Sequence, residues 1–362
     1  MRDTIIIGGG LIGLFSAAEL AAAGQHVTLV DDSGPRGKAS WAAGGLLVPM
    51  HPWRMPTVLD AAIRWSQQRY RELSRDLPRL TGIDPEREAC GMILLEQRER
   101  TQALDWARRS GEELLEIDAS TLYGLEPGLH PGHESALWYP AAAHIRNPRL
   151  LRAMQARLQQ LGVQQVRARC QTLLVRDARV LGVMTGDGPL HAGATVLAAG
   201  AWSPPLLAAY GGLPAIRPMR GQIILYRLPP GQIGHMVLEG EKYLIPRRDG
   251  AVLVGSTLED VGYELTTTSE ASLSLQQAAR RLAPALEGAV VEDHWAGLRP
   301  GKEDSIPYIG AHPALEGLYL NVGQYRNGIL TAPASGRLLA DLILQRTPVF
   351  DPVAYIPFAD RA

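Results

Sequence analysis

The chain has 362 residues, 46% of them hydrophobic, enough for two domains with cores of their own. Its 36 Lys and Arg balance 37 Asp and Glu to a formal net charge of −1, which argues against electrostatic recognition of nucleic acid. No run of about eighteen apolar residues lacks a polar interruption, so no membrane-spanning helix is expected, and two distant cysteines, Cys90 and Cys170, form no CxxC motif and fit a reducing cytosol.

In chain order, Thr4–Ile7 has the pattern of a buried strand. Gly8-Gly9-Gly10-Leu11-Ile12-Gly13 is a glycine turn, and an Ala-rich helix pattern starts near Leu11. Val27–Val30 is a second strand, followed by Asp31. Strand, turn, helix, strand and acid in this order form a dinucleotide-binding unit. Gly8 allows the tight turn, Gly10 lets the backbone approach a pyrophosphate, and Gly13 lets helix and sheet pack closely. The free N–H groups at the helix start aim at the phosphates. Asp31 can accept hydrogen bonds from ribose hydroxyls. A secretory leader would also set a basic residue, Arg2, before an apolar run and Ala21-Ala22-Ala23-Gly24. Glu19 and the glycines break that run, and Val27–Val30 reads as a parallel strand. This unit establishes an adenine dinucleotide without choosing between NAD and FAD.

Residues 32–38 read as a loop. Gly37-Lys38 is no phosphate loop of the GxxxxGK[ST] kind, since position 32 is Asp and Ala39 follows the lysine. Residues 57–79 read as a helix, Ala89–Glu96 as a strand with Cys90 in the core, and Thr101–Arg109 and Pro148–Leu161 as helices, with Gly162 as a stop. His130-Pro131-Gly132-His133 reads as a loop, and no metal site is expected there. Residues 194–203 read as a buried strand ending in glycine. From about Met219 to Val291 the pattern turns to antiparallel strands. Gln222–Tyr226 is one; Lys242–Pro246 and Ala251–Gly255 flank Arg247-Arg248-Asp249-Gly250, whose Asp-Gly is a hairpin signal. Such strands do not fit a parallel dinucleotide sheet, so a second domain is expected. Residues 317–323 form another strand. It leads through Gln324-Tyr325-Arg326-Asn327-Gly328-Ile329-Leu330 into a helix, with Thr331 as N-cap and Pro333 in the first turn. No GxSxG occurs, so a hydrolase elbow is unsupported.

The N-terminal unit, Ser40-Trp41-Ala42-Ala43-Gly44-Gly45, Ala199-Gly200-Ala201-Trp202, Ala296-Gly297-Leu298-Arg299-Pro300 and Tyr325–Leu330 carry a resemblance that runs nearly end to end. The chain resembles the D-amino-acid oxidase superfamily of flavoproteins, and in particular its glycine oxidase branch of thiazole synthesis. That resemblance implies a Rossmann-type α/β FAD-binding domain interleaved with an α+β, antiparallel-sheet substrate domain. Residues 1–82, 145–213 and 295–362 would form the first, and 83–144 and 214–294 the second. It implies FAD as cofactor. Gly8, Gly10, Leu11, Ile12 and Gly13 would serve the pyrophosphate, and Asp31 and Asp32 the adenosine ribose. Ala39, Ser40, Gly44, Gly45 and Leu46 would line phosphates and flavin, with Gly200 also in the cofactor site. Thr172 would meet the adenine edge by its backbone. Gln324, Tyr325, Asn327, Gly328, Ile329 and Leu330 would run beside the isoalloxazine. With no cysteine in the C-terminal third, FAD is expected to be non-covalent.

Arg299 is the leading substrate residue by the same resemblance, with Tyr243 and Arg326 beside it. A guanidinium holds a carboxylate through two parallel hydrogen bonds, and the position before Pro300 favours extended backbone. Leu46 and Leu258 stand where methionines are common in this branch and are expected as apolar lining. The helix after Leu330 would direct positive partial charge at the flavin edge and stabilise its anionic reduced form. The implied reaction oxidises glycine, and with it sarcosine or small D-amino acids, to an imine that hydrolyses to an oxo acid and ammonia. Oxygen would be reduced to hydrogen peroxide. A cytoplasmic homotetramer serving thiamine synthesis is implied as well, without nucleic-acid or membrane partners. Three alternatives stay open: a dehydrogenase passing electrons to a membrane carrier, a flavin- or nucleotide-binding module without turnover, and NAD as sole cofactor.

Overall fold

The computed structural model describes residues 3–32, 34, 37–95, 98–211 and 216–358. A six-stranded sheet has the order Tyr308–Ala311, Leu318–Val322, Ala194–Leu197, Thr4–Ile7, Val27–Val30, Gln164–Val166. It is parallel except at its Tyr308–Ala311 edge. Thr4–Ile7 lies at the centre, with Thr4 opposite Ala194 on one side and Val27 on the other. Strand side chains alternate between faces. Ile6, Leu29 and Val196 therefore pack under the helices, while Ile5, Ile7, Val30 and Leu197 pack under a small three-stranded antiparallel sheet, residues 170–191. Helices Leu11–Ala22, Asp60–Thr81, Asn147–Gln160 and Gly328–Ile343 supply the helical layer. Close contact there needs glycine: a Cβ on Gly336 would sit 2.8 Å from the Phe15 backbone.

The second sheet has nine strands among the described residues. Its order is Gly37–Lys38, Val291–Gly301, Arg217–Arg227, Ala251–Gly255, Lys242–Pro246, Met236–Glu239, Met92–Leu94, Ser135–Tyr139, Leu115–Asp118. The Asp-Gly hairpin joins Lys242–Pro246 to Ala251–Gly255. Helix Ser269–Leu282 packs its apolar stripe on this sheet through Leu275, Ala279 and Leu282.

Several local expectations shift. Gly37–Lys38, expected in a loop, is a short strand paired in parallel with Gly297 and Leu298, because the edge of Val291–Gly301 offers it a partner. Strand Val291–Gly301 pairs with Arg217–Arg227 along its length and runs through the expected domain boundary at 294/295. A further expected boundary, at 213/214, lies outside the described residues, as does Glu96. The strand expected over residues 89–96 is limited to Met92–Leu94, and the strand expected over 194–203 ends at Leu197. Gly200, at φ +56°, instead opens a short 3-10 turn. The last helix begins at Gly328 with Asn327 as N-cap, so Thr331 is not the cap. Its hydroxyl bonds back to the Asn327 carbonyl at 2.9 Å inside the first turn.

Candidate cofactor and substrate site

A cavity of about 520 Å³ runs between the two sheets. Gly8, Gly10, Asp31, Asp32 and the segment Ala168–Gln171 wall one end. Ser40, Ala43 and Gly200 line the middle, and Arg299, Gln324, Tyr325, Arg326, Gly328 and Ile329 the other end.

The first end is a glycine cradle. Gly8 has φ +112°, and a Cβ there would fall 2.5 Å from the Ala198 carbonyl oxygen. A Cβ on Gly13 would fall 1.9 Å from the Gly8 oxygen, so helix Leu11–Ala22 can start against the strand only with glycine at that position. The helix has no side-chain cap from Gly10. Instead the Ser40 hydroxyl accepts the Leu11 N–H at 2.9 Å, which leaves Leu11 buried behind the wall while Ile12 lines it. Asp31 accepts the Gly9 N–H at 2.6 Å and pairs with the Lys38 ammonium. Lys38 lines the same cavity. Its role is invisible in the sequence, because only the pairing of Gly37–Lys38 with the second sheet brings it over Asp31. Thr172 is not in the wall. Its hydroxyl bonds to the Leu173 carbonyl at 3.4 Å, and the wall there is made by Ala168, Arg169, Cys170 and Gln171.

In the middle, Ala39 and Ser40 line the cavity but Gly44, Gly45 and Leu46 lie behind it. Gly45, at φ +84°, passes so near Ile145 that a Cβ would sit 2.0 Å from its carbonyl oxygen. Arg247 holds this segment. Its buried guanidinium donates to the Gly44 carbonyl at 2.7 Å, to the Ile145 carbonyl at 3.1 Å and to His144 Nδ1 at 2.7 Å. Burial pushes the Arg247 pKa down to about 10, and burial together with Arg247 holds His144 well below its ordinary value. Arg247 sits in the hairpin turn motif and carries no sequence sign of burial.

At the far end, Arg299 lies on strand Val291–Gly301 opposite Met219. Its guanidinium lies over Gly221, where a Cβ would come within 2.1 Å of Nη1. Nη1 donates to the Thr257 carbonyl at 3.2 Å and Nη2 to the Ser256 hydroxyl at 2.8 Å. Among the described residues no carboxylate pairs with it, and burial lowers its pKa. A half-buried guanidinium bonded only to neutral acceptors favours an incoming carboxylate. Tyr243 is buried behind the wall, wedged between Gly44 and Gly255; a Cβ on Gly255 would fall 2.4 Å from its hydroxyl. Burial raises its pKa and the nearby Arg299 opposes that. Arg326 lines the cavity, but its charge is met by Glu241 at 2.5 Å, which Arg54 also reaches at 3.2 Å. Gln324 donates to Asn321 at 2.7 Å, Asn321 to Ser16 at 3.1 Å, and Ser16 to the Ile12 carbonyl at 2.8 Å, a relay back to the first helix. Asn327 and Leu330 support the wall from behind. Leu258 is 45% exposed and outside the cavity; Leu265, from the same segment, lines it instead.

These residues fit FAD. The glycine cradle and the helix start suit a pyrophosphate, the acidic end suits a ribose, and Ile12, Ala43, Leu298 and Ile329 give an apolar wall for a flat ring system. Among the described residues, no cluster of three His, Cys, Asp or Glu side chains is placed to hold a metal ion, and no helix is long and apolar enough to cross a membrane.

Residues 3–342 match the family model described as FAD dependent oxidoreductase. The chain is 43% identical over 358 residues to a glycine oxidase of Pseudomonas putida, covering 98% of both chains. It is 34% identical to a bifunctional protein ThiO/ThiG of Trichormus variabilis, covering 100% of this chain and 56% of that one. The crystal structure of glycine oxidase from Geobacillus kaustophilus superposes with a TM-score of 0.93 at 27% identity, over 100% of this chain and 99% of that one. The fold, the glycine cradle and these matches together make the chain a member of the FAD-dependent oxidoreductase family.

Proposed function

We propose that the protein is a glycine oxidase that also accepts sarcosine or small D-amino acids. The observation that carries this reading is the half-buried Arg299 guanidinium, without a carboxylate partner among the described residues, at the end of a cavity that fits FAD. The 43% identity to a glycine oxidase over nearly the whole chain supports it.

Arg299 binds the substrate carboxylate through its two terminal nitrogens, while Ser256 and the Thr257 carbonyl hold the guanidinium plane. Tyr243 backs the same corner, and Gly221 and Gly255 leave room for both side chains. Trp202 and Leu265 add apolar surface to the cavity lining. The start of helix Gly328–Ile343, which has no side-chain cap, places positive partial charge beside Ile329. When bound, FAD supplies the two-electron acceptor for the hydride of the α-carbon and passes the electrons to oxygen. The protein's own contribution is to hold a neutral amine in one orientation, a form of catalysis that needs no side-chain base. Glycine, oxygen and water thus become glyoxylate, ammonia and hydrogen peroxide. A role in thiamine synthesis, a cytoplasmic location and a homotetrameric state complete the proposal.

Anaerobic mixing of the purified yellow protein with glycine tests it. Glycine should bleach the flavin absorbance, and readmitted oxygen should restore it with release of peroxide. If another small amine bleaches the flavin and glycine does not, the glycine assignment fails. Bleaching without oxygen consumption would make the enzyme a dehydrogenase.

A further inference from the structure

Residues 256–268 form no helix and no strand, yet Ser256 and Thr257 accept both hydrogen bonds of the Arg299 guanidinium, and Leu265 lines the cavity. Two side chains of strand Arg217–Arg227 hold this irregular segment. Successive strand residues face opposite sides of a sheet, so Arg220 and Gln222 lie on the side away from Gly221, over which Arg299 sits. They continue the buried face of Ile224 and Tyr226, where polar groups are costly unless fully bonded.

Glu259 joins them. Its carboxylate pairs with the Arg220 guanidinium and accepts the Gln222 amide at 2.9 Å and the Thr257 hydroxyl. Burial would raise the Glu259 pKa, but these hydrogen bonds outweigh it and hold the carboxyl below its ordinary value. The Thr257 hydroxyl also accepts the Gln222 backbone N–H at 2.8 Å, and backbone bonds of 2.9 and 3.0 Å tie Arg220 and Glu259 to each other. Farther along, Arg220 donates to the Thr266 carbonyl at 2.8 Å and Gln222 accepts the Thr268 N–H at 3.0 Å. The segment is thus fastened both before and after Leu265. Thr257 is the joint: its hydroxyl belongs to the Glu259 network, and its carbonyl receives Arg299 Nη1 at 3.2 Å.

We infer that Thr257 and Glu259 are positioning residues for the substrate carboxylate, acting through the Thr257 carbonyl and the Ser256 hydroxyl on the plane of the Arg299 guanidinium. The inference rests on the reading of Arg299 as the carboxylate clamp. A guanidinium gives a carboxylate two parallel bonds only when the planes match. Ser256 and Thr257 set that plane, and no regular element fixes them in turn. Glu259, which is not in the cavity wall, supplies the rigidity from across the strand. A role confined to stability would leave carboxylate binding as it is, whereas a positioning role moves it.

The FAD-loaded enzyme is titrated with acetate, a carboxylate it cannot oxidise, with binding read from the flavin absorbance, and glycine oxidation is followed in parallel. Thr257→Val keeps the shape of the side chain and removes the hydroxyl that links Glu259 to the clamp. It should weaken acetate binding and raise KM for glycine by about three- to tenfold, with a smaller change in kcat. Thr257→Ser, which keeps the hydroxyl, should restore both. Glu259→Asp, which keeps the charge but falls short of Thr257, should weaken binding as the valine variant does. A lower melting temperature with unchanged acetate Kd and glycine KM in Thr257→Val overturns the inference. Acetate binding that survives Arg299→Ala overturns the clamp itself, so the two failures are told apart. If the valine variant does not fold, Thr257→Ala removes the same hydroxyl and is read in the same way.

Discussion

The Tyr70 hydroxyl donates to the Ile329 carbonyl at 2.5 Å, and Ile329 is the residue whose helical hydrogen bond Pro333 removes. Proline has no N–H, so residue 333 cannot close the turn onto residue 329. Helix Asp60–Thr81 supplies the replacement. Its Ser66, four residues before Tyr70, also accepts the Ala334 N–H at 3.1 Å. A proline six positions into the helix is thus tolerated beside the cavity, and Ile329 holds its place in the wall.

Tyr70→Phe should therefore leave a buried carbonyl unserved. A loss of about 1–3 kcal/mol is expected, read as a lower urea midpoint, together with easier release of FAD. An unchanged midpoint and unchanged FAD retention would refute this account of the Pro333 turn.

Arg299→Ala removes the proposed carboxylate clamp. Losing a charge-assisted hydrogen bond of ~1.5–3 kcal/mol should cut kcat/KM for glycine by at least about tenfold. FAD binding should persist. Arg299→Lys should recover only part of the loss, because an ammonium cannot offer two parallel bonds. Steady-state oxygen uptake measures both; an unaltered kcat/KM in the alanine variant would remove Arg299 from the site.

Gly221→Ala should mimic much of that defect without touching the arginine. Its new Cβ would press within 2.1 Å of Arg299 Nη1, so the guanidinium must move. KM for glycine should rise while the flavin spectrum stays as in the wild type. A normal KM would show that the clamp does not depend on this clearance.

Stability should fall on acidification from neutral pH. His144 and His51 are buried, and both have pKa values below the ordinary one, mainly through burial, with Arg247 and Arg54 adding to it. The unfolded chain takes up their protons near pH 6.5 while the folded chain does not, so the unfolded state binds more protons and gains as pH drops. Each histidine contributes at most about 1.4 kcal/mol per pH unit below that point. Urea midpoints from pH 7.5 to 5.5 should fall, and His51→Gln should flatten the slope. A flat wild-type profile would contradict the burial argument.

Local pattern settled the first unit, because its main requirements are short-range. Gly13 is demanded by its clearance from the Gly8 carbonyl within one strand–helix turn, Gly8 by its own φ of +112°, and the Asp-Gly hairpin by its own two residues. The apolar alternation of Thr4–Ile7 and Val27–Val30 likewise announces a buried parallel sheet. The ends of elements depend on more than local pattern. Thr331 looks like an N-cap, yet the helix starts a turn earlier, since Tyr70 and Ser66 from another helix relieve the Pro333 break.

Sequence by itself determined a glycine-rich dinucleotide unit, two kinds of sheet and a set of residues characteristic of the family. Only the tertiary structure decided which of these meet in one cavity. Lys38 reaches Asp31 through a strand pairing with the second sheet, Arg247 is buried by segments about a hundred or more positions away, and Leu265 lines the cavity where Leu258 does not. Tyr243 and Gly44 support the wall from behind. The reason is physical: a strand or turn is encoded by neighbours in sequence, whereas burial, ion pairing and clearance depend on residues that only folding brings together.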